Sequence, residues 1–175
     1  FSNQKKFDKC NRDFNRVTYL ASGPLVGIAR EVQLKILELT AGKVATAFDT
    51  SLGFRHGPKS FVDEKSLAFL FVSNDPYTRQ YDLDMLEELY GDQIANTVYS
   101  IEVTQENGFS GQAFRFDERY SNLPDVYLAL PYTVFGQVVS MLTALKVENK
   151  PDTPSPTGTV NRVVKGVIIH DNLPE

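Results

Sequence analysis

Between Ser66 and Ser73 the chain runs Leu67-Ala68-Phe69-Leu70-Phe71-Val72, six apolar side chains in succession. A strand that shows one face to water alternates apolar and polar residues. A run without alternation needs cover on both faces, as a central strand of a parallel sheet has. Parallel strands require long crossovers, normally helical, and the flanking sequence supplies them. Leu25, Ile28, Val32, Ile36 and Leu39 recur at three- and four-residue steps, which predicts a helix over 25–39 ended by Gly42. Val17 to Ala21 reads as a strand before it and Val44 to Phe48 as a strand after it. Asp49-Thr50-Ser51 then makes a polar turn, followed by a short helical segment to about Phe61.

Beyond the apolar run, Asn74-Asp75-Pro76 is a stop, and Thr78 to Tyr90 predicts a charged amphipathic helix closed by Gly91. Thr97 to Val103 is a fourth strand and Ala113 to Phe116 a minor one. Val126 to Leu130 reads either as a last strand or as the start of the long apolar helix Tyr132 to Val147. Strands alternating with helices at these lengths predict an α/β fold, a three-layer α-β-α sandwich around a mainly parallel sheet. Ligands of such sheets sit beyond the carboxyl ends of the strands. The turns carrying Ser22 and Ser51 fall at such ends.

The chain divides into an N-terminal segment, 1–16, a domain, 17–148, and a tail, 149–175. Phe7, Cys10 and Phe14 stand at helical spacing, so Asn3 to Arg16 is expected to form a short amphipathic helix or interdomain segment. Pro151, Pro154 and Pro156 stiffen the tail, and the apolar stretch beyond Gly158 is expected to pack on the domain, over its active site, or on a neighbour. A start at Phe1 suggests a piece of something longer.

The 175 residues are enough for one sizeable core. A net charge of −4 argues against binding a nucleic-acid backbone, which calls for a basic face. No uninterrupted apolar run approaches the ~20 residues that span a bilayer, so no membrane partner is expected. With Cys10 as the single cysteine no internal disulfide forms, and a reducing, cytoplasmic setting is expected. Two histidines and one cysteine do not build a zinc site. Gly23 and Gly27 do not complete a dinucleotide fingerprint, and neither a phosphate-binding P-loop nor a nucleophile elbow is present. Neither a metal nor a cofactor is expected.

Acid–base chemistry remains. Lys35 and Glu38 share one helix face. Glu38 lies at the helix end where the macrodipole disfavours negative charge; it is either a poised general base or a solvated partner of Lys35. His56 stands between Arg55 and Gly57-Pro58, in a tight turn suited to presenting a side chain. It either transfers protons or caps its turn. Lys165, between Val164 and Gly166, either snorkels to water or faces an anion. His170 reads as a surface residue.

Several stretches resemble a known family: Leu20-Ala21-Ser22-Gly23-Pro24-Leu25, Leu34 to Lys43, Gly53-Phe54-Arg55-His56-Gly57-Pro58-Lys59, Phe71 to Tyr77, and Pro154 to Val164. They are similar to the sugar isomerase (SIS) family, in particular to the second SIS domain of two-domain ketose–aldose isomerases of the tagatose-6-phosphate and galactosamine-6-phosphate deaminase type. The resemblance implies a flavodoxin-like SIS fold and a hexose 6-phosphate substrate, processed through an enediol or enolamine. It implies Glu38, His56 and Lys165 as catalytic residues, and Lys35, Ser22, Ser51 and Arg55 as substrate-binding ones. It also implies a partner SIS domain of the same protein carrying the phosphate grip, a homo-oligomer such as a homodimer, and little activity in this piece alone. A non-catalytic sugar-phosphate sensor is the alternative that the family also offers.

Overall fold

The computed structural model describes residues 13–106, 108–160, 163 and 166–171. Five parallel strands form one sheet: β1 (Arg16–Ala21), β2 (Ala45–Thr50), β3 (Ser66–Phe71), β4 (Thr97–Val103) and β5 (Gln112–Phe116). Their spatial order is β2-β1-β3-β4-β5, the flavodoxin-like arrangement, which reverses direction between β1 and β3. The helices are α1 (Val26–Leu39), the short α2 (Ser51–Phe54), α3 (Pro76–Gly91) and α4 (Asp125–Lys146).

The apolar run behaves as its composition demands. All six residues of β3 are buried. Leu67, Phe69 and Phe71 face one helical layer together with Tyr19 of β1, Val32 and Ile36 of α1, and Tyr132 and Phe135 of α4. Ala68, Leu70 and Val72 face the opposite layer with Leu20 of β1, Phe54 of α2, and Met85, Leu86 and Leu89 of α3. Parallel register puts Tyr19 beside Phe69, and Phe69 beside Tyr99. Their rings stack at centroid distances of 5.3 and 5.4 Å, adding to the area they bury.

Some boundaries differ from expectation. β2 extends through Asp49 and Thr50, because an edge strand leaves its outer positions half exposed and tolerates polar residues there. Thr50 then caps α2, its hydroxyl accepting from the Gly53 amide at 2.9 Å. Gln112–Phe116 is a full edge strand on β4. Of the two readings for 126–130, the helical one holds, with Pro131 inside α4. Arg16 opens β1 and 13–15 is irregular, while 1–12 of the expected N-terminal helix lies outside the described residues.

Helix α4 is long and apolar enough to cross a membrane by length and composition, although no uninterrupted apolar run suggested it. One face of it is packed on the sheet, with Leu128, Tyr132, Phe135 and Val139 in the core. It crosses α1 at Gly136, where an added Cβ would fall well inside contact distance of the Val32 side chain. Gly27 in α1 has open space around it. Gly136→Ala is therefore expected to lower stability by ~1–3 kcal/mol through overpacking. Gly27→Ala should raise it by up to ~1 kcal/mol through helix propensity. Thermal unfolding of the two variants beside the parent should move the midpoint in opposite directions.

Candidate active site

Four polar side chains meet where the strand order reverses. Ser22 follows β1, Ser51 follows β2, Ser73 follows β3, and Asp82 reaches across from α3. Asp82 Oδ1 accepts hydrogen bonds from the Ser22 hydroxyl at 2.6 Å and the Ser51 hydroxyl at 2.5 Å. Its Oδ2 accepts from the Ser73 amide at 2.9 Å. Asp82 is fully buried. Burial pushes its carboxyl above the usual range, against the opposing pull of the two hydroxyls and the amide. Asp125, at the start of α4, takes the Ser73 hydroxyl at 2.6 Å and the Asn74 amide at 2.7 Å. Asp75 caps α3 by accepting from the Thr78 amide, a bond that holds its carboxyl below the usual range.

Beside this cluster opens a cleft of about 1020 Å³, lined by Asn74, Arg79, Thr104, Gln105, Asn122 and Asp125 among others. Below it Glu102, wholly buried, binds Arg79 at 3.1 Å and Arg115 at 2.8 Å. A phosphate at a helix N-terminus needs free backbone N–H groups. Here carboxylates of the chain itself occupy those at Ser73, Asn74 and Thr78, and a dianion would face Asp75, Asp82 and Asp125. Among the described residues no cluster of His, Cys, Asp and Glu is arranged to hold a metal ion.

The expected acid–base residues lie elsewhere. Because β1 and β2 are parallel, α1 returns from the carboxyl edge of the sheet to its amino edge. Glu38, in the last turn of α1, is thus at the amino edge. Its carboxylate is exposed and pairs with Lys35 at 3.0 Å, and Lys35 also reaches Glu31 at 3.5 Å. The hydrogen bond to Glu38 raises the Lys35 pKa. His56 and Arg55 follow α2 at the carboxyl edge. His56 is exposed, and Arg55 is held by Glu88 at 2.9 Å. The five steps between the six residues of β2, at about 3.3 Å each, separate the two edges by roughly 17 Å. One copy of this domain therefore keeps Glu38 and His56 apart.

Lys165 lies outside the described residues. The root of the tail does not: Asn149, buried, donates to the Leu39 carbonyl at 2.7 Å and to the Pro154 carbonyl at 3.0 Å, and Lys43 donates to the Val147 carbonyl. The tail leaves the domain beside Glu38. Val160, Val163 and Val167 to Ile169 are exposed on this domain.

No family model matches the chain. Individual proteins do. A D-galactosamine-6-phosphate deaminase, AgaS, of Escherichia coli O157:H7 is 47% identical over 157 residues, covering 90% of this chain and 41% of the relative. AgaS of Shewanella sp. (strain ANA-3) is 44% identical over 155 residues, covering 89% and 37%. The crystal structure of tagatose-6-phosphate ketose/aldose isomerase from Escherichia coli superposes with a TM-score of 0.81 at 38% identity, covering 97% of this chain and 45% of that one. The chain is a sugar isomerase (SIS) domain. It spans about two fifths of the length of the relatives it matches.

Within this SIS domain, Ser22 and Ser51 are brought together, as are Lys35 and Glu38, but the two pairs occupy opposite edges of the sheet. Sequence reasoning missed Asp82 and Asp125. The signal for Asp82 was present: it stands three, four and seven residues before Met85, Leu86 and Leu89, on the core-facing stripe of α3.

A carboxyl with a raised folded pKa gives its full stabilisation only below its unfolded pKa, near 4, and loses it as pH rises through the folded value. The stability of the parent relative to Asp82→Asn should therefore fall as pH climbs from about 4 through the raised Asp82 pKa. Urea unfolding of both proteins across that window measures the difference. A gap that stays constant with pH would contradict the burial of an ionising Asp82.

Proposed function

We propose that the chain is the C-terminal SIS domain, with its tail, of a sugar-phosphate ketose–aldose isomerase or deaminase acting on a hexose or aminohexose 6-phosphate. The observation that carries this reading is the 47% identity to an AgaS deaminase across 90% of the chain. It coincides with the display of the Lys35–Glu38 pair at 3.0 Å on an open helix face. In this reading Glu38 takes the proton from C2 of the open-chain sugar and returns it to C1. Lys35 and the tail residue Lys165 balance the negative charge of the enediolate. With an amino sugar, protonation of the enolamine at C1 leaves an imine at C2. Water then adds to C2 and ammonia departs.

His56, at the other edge of the sheet, serves ring opening in a site built on another copy, which supports a homo-oligomer. Ser22, Ser51 and Arg55 were expected to touch substrate. Their bonds to Asp82 and Glu88 favour a role in holding the loops, and the crowd of carboxylates there favours a phosphate grip supplied by a partner SIS domain of the same protein. An exposed carboxylate becomes an effective base once substrate and the surface carrying it exclude water. A cytoplasmic setting fits a phosphorylated substrate.

In the full-length protein that carries this chain, Glu38→Gln should lower turnover of galactosamine 6-phosphate by ~10²–10⁴-fold, the usual worth of a positioned base. Its sugar-phosphate affinity, measured by calorimetry, should stay within a few-fold. Unchanged turnover would remove Glu38 from the chemistry. Lost affinity with unchanged turnover per bound substrate would make it a binding residue.

A further inference from the structure

The turn that carries His56 lies between two anchored points. Before it, Phe54 ends α2 and is fully buried in the layer that holds Leu86 and Leu89 of α3. After it, Pro58–Phe61 forms a single 3-10 turn. Between them Gly57 takes a φ of 136°, which a residue with a side chain rarely adopts. Residues 55–58 are all exposed, so burial does not fix the bend. A carboxylate does. Glu88 of α3 uses both of its oxygens: Oε2 takes Arg55 Nε at 2.9 Å, and Oε1 takes Lys59 Nζ at 2.6 Å. Asp92, just beyond α3, takes the same lysine nitrogen at 2.7 Å. Leu86 and Leu89 hold the backbone beneath Glu88 against the core. Arg55 and Lys59 flank the bend, so one side chain rooted in a packed helix closes residues 55–59 into a ring that includes His56. Each of these pairs is about a third exposed, and such pairs add little to overall stability. Gathered on one short turn, they set its direction. The preceding residue, Glu87, grips a different loop, accepting from the Ser110 amide at 3.0 Å and the Ser110 hydroxyl at 2.9 Å.

We infer that Glu88 is a positioning residue: by holding Arg55 and Lys59 together it aims His56 at the sugar, without touching the sugar itself. The inference rests on the function proposed above, in which His56 serves ring opening, and it adds what keeps the imidazole in place. A misplacement of about 1 Å can cost about 10²-fold in rate. With the clamp gone, Phe54 still anchors one side of the turn, so the imidazole reaches its working position part of the time and the loss is smaller.

In the full-length protein, Glu88→Ala and Lys59→Gln release the turn from its two sides, and Glu87→Ala is the reference on the same helix. Hydrogen–deuterium exchange of the peptide 52–62, read by mass spectrometry, reports on the turn without any turnover. Its amides should exchange about fivefold faster or more in both release variants, as expected of a local opening, and at the parental rate in Glu87→Ala. For galactosamine 6-phosphate, kcat should fall about tenfold in both release variants, within the worth of a positioned proton-transfer group, while KM stays within a few-fold. Adding Glu88→Ala to His56→Ala should cost nothing further, since both changes act on one group. Parental exchange in both release variants would overturn the inference and leave the role of His56 standing. Faster exchange with the same loss of kcat in the His56→Ala background would give Glu88 an effect apart from His56, and would overturn it too. Parental turnover by His56→Ala alone would remove His56 from the chemistry and the inference with it, a failure told apart because Glu88 is intact in that variant. Should Glu88→Ala fail to fold, Lys59→Gln decides, alone and combined with His56→Ala.

Discussion

A strand without polar side chains is stable only if both of its faces are dry. In this domain that single condition propagates outward from β3. It calls for parallel neighbours, since helical crossovers cover both faces of a parallel sheet. It calls for two helical layers, and α1 with α4 supplies one while α2 with α3 supplies the other. Aromatic rings from β1, β3 and β4 fill the space between sheet and helices on the α1–α4 side, and Tyr132 ties α4 to the end of β3 through the Val72 carbonyl.

The same architecture decides where chemistry can occur. Loops at the carboxyl edge of a doubly wound sheet normally receive the ligand. In this domain the turns after β1, β2 and β3 are tied down by Asp82 and Asp125, which accept the amide and hydroxyl hydrogens that an anion would use, and the cleft opens beside them. At the other edge the end of α1, the end of α4 and the root of the tail are joined by Asn149, beside the exposed Lys35–Glu38 pair.

The core was legible in the sequence because burial leaves period and composition as traces. Leu67 to Val72 announced the central strand, and the three- and four-residue spacing from Leu25 to Leu39 announced α1. Edges were less legible: Asp49 and Thr50 look like a turn because a half-exposed edge strand accepts the same residues. Lys35 and Glu38 were legible as a pair. Their distance from His56 was not, because one-dimensional spacing says nothing about which edge of the sheet a loop occupies. Asp82 looked like one more charge on an amphipathic helix, although its register pointed inward. The open face of α4 was equally hard to see, since a helix apolar all round gives no periodic contrast between its two sides.

The separation of Glu38 and His56 by the height of the sheet bears on how the proposed site would be completed. If both groups serve one sugar, the imidazole belongs to a different molecule from the carboxylate, and each polypeptide lends to its neighbour what it cannot use itself. Catalytic capacity would then be a property of the assembled pair, falling with dilution even when every chain remains folded.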